Sequence, residues 1–119
     1  MILADTSIWI AHLRNERGEL ALRLERGQIL AHPFVLGELM LGGLGRRSPV
    51  PHLLRNLPQA VCASHDEVLS LIGRANLSGR GVGWVDAHLL AACRLTPDAR
   101  LWTLDRKLHD LAHELGVVL

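Results

Sequence analysis

The chain opens with the stretch Met1-Ile2-Leu3-Ala4-Asp5-Thr6-Ser7-Ile8-Trp9. Its first four residues are a short apolar run, which is typical of a buried β-strand, and the acid Asp5 follows directly. From Ser7 to Arg14 the apolar residues recur at helical spacing. A buried strand that leads into a helix is typical of an α/β layer fold, so this stretch predicts an α/β/α arrangement around a mainly parallel sheet.

The same alternation continues along the chain and predicts a sheet of four to five strands. Strands are predicted at residues 1–4, 28–31, 60–63 and 101–104, with a short edge strand at 117–119. Helices are predicted at residues 7–14, 19–26, 33–41, 52–57, 64–77, 84–95 and 106–115.

Local signals support several of these boundaries. Pro33 suits a first helical position, and the glycines at 42, 43 and 45 are expected to end that helix. Ser64 is expected to cap a helix, with Glu67 three residues later completing a capping box. The three glycines between residues 79 and 83 predict a mobile loop, and Gly116 is expected to end the last helix.

Length and composition narrow the class of protein. With 119 residues, 49% of them hydrophobic and 21% charged, residues 1–119 are expected to form one globular domain. No apolar run approaches the roughly 18 residues of a membrane span, and the N-terminus lacks the pattern of a signal peptide. Cys62 and Cys93 lack the paired spacing of a disulfide scaffold or a cysteine zinc site, which predicts a cytoplasmic protein.

The net charge of +1 does not exclude a polyanionic substrate. If metal ions neutralised four of the twelve carboxylates, eight acids would remain against thirteen basic residues.

Four acids stand at positions where ligands are often bound. Asp5 and Asp105 each follow a predicted strand, and the carboxyl ends of strands are where open α/β sheets bind ligands. Glu38 and Asp86 each share a helix face with apolar residues, which predicts that their carboxylates point inward. Each also has a purely structural alternative: a helix cap for Asp5 and Asp105, a salt bridge for Glu38, and stabilisation of the helix dipole for Asp86.

A hard divalent cation would explain the four acids together, because Mg²⁺ and Mn²⁺ prefer oxygen ligands and bridge to phosphate oxygens. Two such ions about 4 Å apart can clamp both oxygens of a phosphoryl displacement. Thr6, Ser7 and Thr103 flank the strand-end acids and could add hydroxyl contacts, although capping of the neighbouring backbone is the commoner role for such residues.

The chain resembles the PIN-domain nucleases, in particular the toxins of VapBC-type toxin–antitoxin pairs. The opening Asp5-Thr6-Ser7-Ile8-Trp9 is similar to the signature of that family, and Glu38 within Val35-Leu36-Gly37-Glu38-Leu39 matches its second acid. Asp86, followed by Ala87-His88-Leu89-Leu90, matches the third acid, and Thr103-Leu104-Asp105 matches the late Thr-x-Asp. The acids occur in the expected order over essentially the whole chain.

The resemblance implies an endoribonuclease that depends on Mg²⁺ or Mn²⁺, forms a homodimer and is inhibited by a small antitoxin. It assigns the metal-site role to Asp5, Glu38, Asp86 and Asp105, with Thr6, Ser7 and Thr103 in support. Two positions depart from the family pattern. Leu108 replaces a frequent aromatic residue, and His32-Pro33 replaces a frequent Ser or Thr before the helix of the second acid.

Other conspicuous residues have simpler interpretations. His109 and His113 are four apart, but they lack a third ligand and are expected to lie on a solvated helix face. Core packing is the default for Trp9, Trp84 and Trp102. Base stacking is the alternative, and for Trp9 and Trp84 so is a place near the site or at a protein interface. The segments Arg46-Arg47 and Gly79-Arg80-Gly81 are expected to be solvated loops that could also steer RNA phosphates.

Three other functions remain open at this point. A PIN-type nuclease could process RNA without being a toxin, and the chain could be a non-catalytic RNA-binding or interaction module. A phosphorylated receiver domain also clusters acids at strand ends, but the expected late Lys and the Asp after its middle strand are not convincing here.

Overall fold

A central parallel sheet organises the fold in a computed structural model that describes residues 1–14, 18–43 and 48–119. Within these residues its strands are β1 (Ile2–Ala4), β2 (Ile29–Leu30) and β3 (Arg100–Trp102), in the order β2-β1-β3. The middle strand, β1, is buried along its whole length. Because β1 and β3 are parallel and Ala4 pairs with Trp102, the residues that follow these strands meet at one edge of the sheet.

Isolated bridges stand where two further strands are predicted. Gln59 pairs in parallel with Ala31, and Val118 pairs in parallel with Leu101. The prediction of a strand at 60–63 is wrong, because the next ladder bond would need an N–H at residue 33, and Pro33 has none and begins a helix. The segment 117–119 likewise contributes one bridge instead of a strand.

Seven helices, numbered in chain order, surround this sheet in the described part of the chain. They are α1 (Thr6–Arg14), α2 (Glu19–Glu25), α3 (Pro33–Leu41), α4 (Val50–Asn56), α5 (His65–Arg74), α6 (Trp84–Leu95) and α7 (Arg106–Glu114). The predicted bounds of α3 and α6 are confirmed, and most other bounds differ by one or two residues.

The predicted start of α5 is confirmed, but its predicted end is wrong. The capping box is confirmed, since the Ser64 hydroxyl accepts from the N–H of Glu67 while the Glu67 carboxylate accepts from the N–H of Ser64. The helix ends at Arg74 and not near Leu77, because Asn76 adopts a left-handed conformation with φ of 53°. Gly116 follows α7 with φ of 73°, as expected for the residue that ends a helix.

The core lies between the sheet and the helices packed on it, and α6 contributes its longest buried run, from Ala87 to Cys93. Burial raises the pKa of the Cys93 thiol to about 12, while Cys62 is exposed, and neither forms a disulfide. In the described part of the chain, every helix is too short or too polar to cross a bilayer. Gly45 and the pair Arg46-Arg47 lie outside the described residues.

Candidate active site

Asp5 lies at the carboxyl end of the central strand, and three donors hold its carboxylate. Oδ1 accepts from the Ser7 hydroxyl at 2.5 Å and from the N–H of Ile8 at 3.2 Å, while Oδ2 accepts from the Thr103 hydroxyl. The residue is only 5% exposed. Its bond to Ile8 caps α1, so the capping role is real, but the two hydroxyl contacts exceed what a cap requires.

Ser7 and Thr103 join the ends of β1 and β3. Their hydroxyl oxygens lie 3.5 Å apart. The Ser7 hydroxyl accepts from the N–H of Leu104, and the Thr103 hydroxyl accepts from the N–H of Asp105, both at 3.0 Å. These bonds end the ladder of β3 at Trp102, so the predicted strand to residue 104 is too long. They also fix the backbone of Asp105 close to Asp5.

The side chain of Glu38 lies at the same edge of the sheet, but its surroundings differ from those predicted. Its side chain is exposed, and Leu41 on the same face of α3 is 91% exposed, so the prediction of an inward apolar face is wrong. The buried face of α3 consists of Val35 and Leu39. A bond of 2.5 Å from the Thr6 hydroxyl to Oε1 holds Glu38 beside the start of α1 instead.

Asp86 is half-buried in the first turn of α6, as predicted. Burial is the main cause that raises the pKa of this carboxyl, and a bond from the N–H of Gly83 at 3.3 Å opposes that rise. The negative charges of Asp105, Asp5 and Glu38 raise it further. All four predicted acids therefore lie close enough to interact electrostatically.

Asp105 is the most accessible of the three aspartates and caps α7. Its Oδ1 accepts from the N–H of Leu108 at 3.0 Å, which confirms the capping alternative for this residue. In residues 1–14, 18–43 and 48–119, none of the four acids forms an ion pair with Lys, Arg or His. The salt-bridge alternative for Glu38 thus finds no partner among the described residues.

The donor chemistry of this cluster suits a hard cation, although the side chains do not surround a common point. Among the described residues, no group of three His, Cys, Asp or Glu side chains is arranged to hold a metal ion. One oxygen of each of Glu38, Asp86 and Asp105 accepts a hydrogen bond, and the other has no protein partner in the described structure. Oxygen donors and uncompensated negative charge are what Mg²⁺ or Mn²⁺ requires.

Comparison with known proteins identifies the family of the chain. The sequence model of the PIN domain matches residues 2–114. The chain belongs to the PIN domain family. It is also 48% identical over 119 residues to Ribonuclease VapC32 from two strains of Mycobacterium tuberculosis, CDC 1551 and H37Rv. Each alignment covers 100% of this chain and 96% of the relative.

The two departures from the PIN pattern leave the acids in place. His32 caps α3 as a Ser or Thr would, because its Nδ1 accepts from the N–H of Phe34 at 3.0 Å. Leu108 is fully buried on α7 and fills the core position of the frequent aromatic residue.

A cluster of rings beside the acids is the main feature that sequence reasoning missed. His88 is buried, with the ring of Phe34 at 4.5 Å, that of Trp84 at 4.6 Å and that of His65 at 5.2 Å. The Nδ1 of His65 lies 3.2 Å from the Nε2 of His88. The four-residue spacing of Trp84 and His88 was a usable signal, but the contacts with α3 and α5 are tertiary.

The remaining conspicuous residues divide into two groups. His109 and His113 are exposed on α7, as predicted. Trp9 is fully buried in the core and Trp102 is half-buried with the guanidinium of Arg23 over its ring, whereas Trp84 is 42% exposed, against the prediction of core packing.

Proposed function

We propose that this chain is an endoribonuclease that depends on Mg²⁺ or Mn²⁺ and acts as the toxin of a type II toxin–antitoxin pair. The observation that carries the proposal is the coincidence of two findings. A relative named a ribonuclease matches the chain over its full length, and the four acids expected from the PIN pattern interact at one edge of the sheet. Core residues from Ile2 to Val117 support treating residues 1–119 as one nuclease unit.

Asp5, Glu38, Asp86 and Asp105 are the residues that would hold the metal. A bound Mg²⁺ or Mn²⁺ would lower the pKa of a water molecule and stabilise negative charge on the phosphodiester oxygens. The chain's own contribution is to bring four negative charges together. Burial first, and then the negative charges of the other three acids, raise the pKa of Asp86, and a bound cation would offset both effects.

The three hydroxyl residues position the acids. Ser7 and Thr103 bond to both oxygens of Asp5 and so fix the plane of its carboxylate. Thr6 bonds to Glu38 across the junction of α1 and α3. Held in this way, the carboxylates lose little conformational freedom when a cation binds, which is the advantage of a preorganised site.

The first test is cleavage of a mixed-sequence RNA by the purified chain, followed on gels. We expect cleavage with Mg²⁺ or Mn²⁺, none with excess chelator, and recovery when the metal is restored, because the water is activated only at the ion. Undiminished cleavage in excess chelator would refute metal dependence. Absence of cleavage under all conditions would favour a non-catalytic module.

The toxin role is supported by an apolar surface beside Glu38. A cleft of about 240 Å³ is lined by residues of α1 and α3 and the turn after α3, namely Ile10, Leu13, Arg14, Glu38, Leu39, Gly42 and Gly43. Met40 and Leu41 are exposed nearby. An antitoxin segment could cover this surface and the acids together. We further propose that the toxin is a homodimer and that it cleaves RNA in the cytoplasm.

We expect Leu41→Asp to weaken antitoxin binding, because Leu41 places an almost fully exposed apolar side chain at this surface. Leu69→Asp is the matched control, since Leu69 is 56% exposed on α5. Copurification of the tagged chain expressed with its operon neighbour measures binding, and sedimentation of the chain alone measures dimerisation. If the wild type copurifies with no small protein and its expression alone is harmless, the RNA-processing alternative replaces the toxin.

A further inference from the structure

Trp84 presents a partly exposed indole at the start of α6, the helix that carries Asp86, and neighbouring rings hold it in position. The residue is 42% exposed, although it begins the largely buried helix α6. Its ring lies 5.6 Å from that of His65 and 4.6 Å from that of His88, the latter in an edge-to-face arrangement at 81°. These contacts restrict the rotamers of Trp84 while leaving much of the indole accessible.

A series of ring contacts connects Trp84 to α3, the helix that carries Glu38. His88 contacts Phe34 at 4.5 Å, and Phe34 stands four residues before Glu38, on the same side of α3 and about 6 Å away along the helix axis. Trp84 itself is two residues before Asp86. Trp84 and Asp86 thus share the first turn of α6, with about 200° of rotation between their side chains.

A cation lies beside the loop that leads into Trp84. The side chain of Lys107 crosses Gly81 so closely that a Cβ placed on this glycine would be 2.8 Å from Nζ. Gly81 also has φ of 81°, which other residues rarely adopt. Lys107 forms no ion pair within the described residues, whereas the neighbouring Arg80 is paired with Glu114 at 2.7 Å.

We propose that Trp84 stacks on an unpaired base of the RNA substrate, with Lys107 contacting a neighbouring phosphate. This inference rests on the proposed ribonuclease function and names how the same site takes up its substrate. An exposed aromatic face beside an unpaired cation is the combination that binds single-stranded nucleic acid. The buried imidazole of His88 packs against the indole on one side and against Phe34, in the helix of Glu38, on the other.

The test compares Trp84→Leu and Trp84→Phe with wild type. Leucine keeps apolar bulk without an aromatic face, and phenylalanine keeps a smaller face. Base stacking contributes about 1–3 kcal/mol, so we expect Trp84→Leu to bind a fluorescent 12-nucleotide mixed-sequence RNA roughly tenfold more weakly and Trp84→Phe to lose less. Binding is measured by anisotropy in chelator, so that the RNA stays intact, and Leu69→Ala is the control for an exposed apolar side chain.

Two further readouts distinguish base stacking from a purely structural role of Trp84. RNA should quench the indole emission of wild type and quench Trp84→Phe much less, because the other two tryptophans are buried or half-buried. Lys107→Gln should reduce the slope of a plot of log Kd against the logarithm of the salt concentration by about one, because one phosphate contact is lost. Melting curves of each variant check that the fold is retained.

Equal RNA affinity of wild type and Trp84→Leu would overturn the inference, whatever the cleavage assay shows. The same holds if Trp84→Leu binds RNA normally but shifts the sedimentation equilibrium, since the indole would then be a contact between copies of the chain. If wild type binds RNA through Trp84 but never cleaves it, the stacking inference stands and the nuclease proposal fails.

Discussion

Asp86→Asn should lower the rate of RNA cleavage at least a hundredfold while leaving the metal-free protein as stable as wild type or more so. A metal ligand contributes several kcal/mol to the stabilisation of developing charge, and each 1.36 kcal/mol corresponds to a factor of ten in rate. Folding should not suffer, because an amide oxygen can still accept from the N–H of Gly83. Turnover under saturating Mg²⁺ and urea unfolding in chelator are the measurements.

The direction of the stability change follows from the raised pKa of Asp86. Because the folded state holds the proton more tightly than the unfolded chain, ionisation of this carboxyl opposes folding at neutral pH. The amide removes that charge and its repulsion from Asp5, Glu38 and Asp105. Asp110→Asn is the matched control, since Asp110 is an exposed carboxylate on α7 whose Oδ1 lies 3.8 Å from the Nδ1 of His109.

Two outcomes would contradict this role of Asp86. Wild-type turnover in Asp86→Asn would remove the residue from the catalytic set. A large loss of stability in chelator would show that the carboxylate acts mainly as a structural partner of the first turn of α6. Asp110→Asn should match wild type in both assays.

Much of the scaffold could be predicted because its signals are local. Pro33 and the glycines after residue 41 bound α3 within the sequence itself, and the capping box of α5 needs only Ser64 and Glu67. The positions of Asp5 and Asp105 followed from strand ends, because a buried run of three or four apolar residues is visible without knowledge of its partners.

The errors arise where tertiary contacts decide. Periodicity placed Glu38 on the apolar side of α3, but the neighbouring elements fully bury only Val35 and Leu39, and Glu38 and Leu41 are exposed. Hydrogen bonding by a distant side chain ends another element early. The N–H of Leu104 is taken by the Ser7 hydroxyl, so β3 ends at Trp102.

When the pH is lowered from 7 to 4, the free energy of unfolding of wild type should fall by about 3 kcal/mol more than that of His32→Asn. Burial, aided by the charge of His88, lowers the pKa of His32 from 6.5 to about 4. Between these values the unfolded chain binds a proton that the folded chain refuses, so stability falls as the pH falls through this window. Each unit of the difference corresponds to 1.36 kcal/mol. Urea unfolding at four pH values measures the effect.

Asparagine is the informative replacement for His32, because its side chain can still cap α3 but has no group that gains a proton in this pH range. In the structure, Nδ1 of His32 accepts from the N–H of Phe34, Nε2 has no partner within the described residues, and the residue is 2% exposed. A proton on Nδ1 would therefore break the cap of α3 and bury a charge at once. Asn Oδ1 can accept the same bond without titrating, at the cost of some packing that is equal at every pH.

The other titrating groups are common to both proteins and largely cancel in the difference. His109→Asn, at an exposed histidine of α7, is the control for the substitution itself. If His32→Asn loses stability towards pH 4 as steeply as wild type, the acid sensitivity lies elsewhere. His32 would then be protonated without breaking the cap of the helix that carries Glu38.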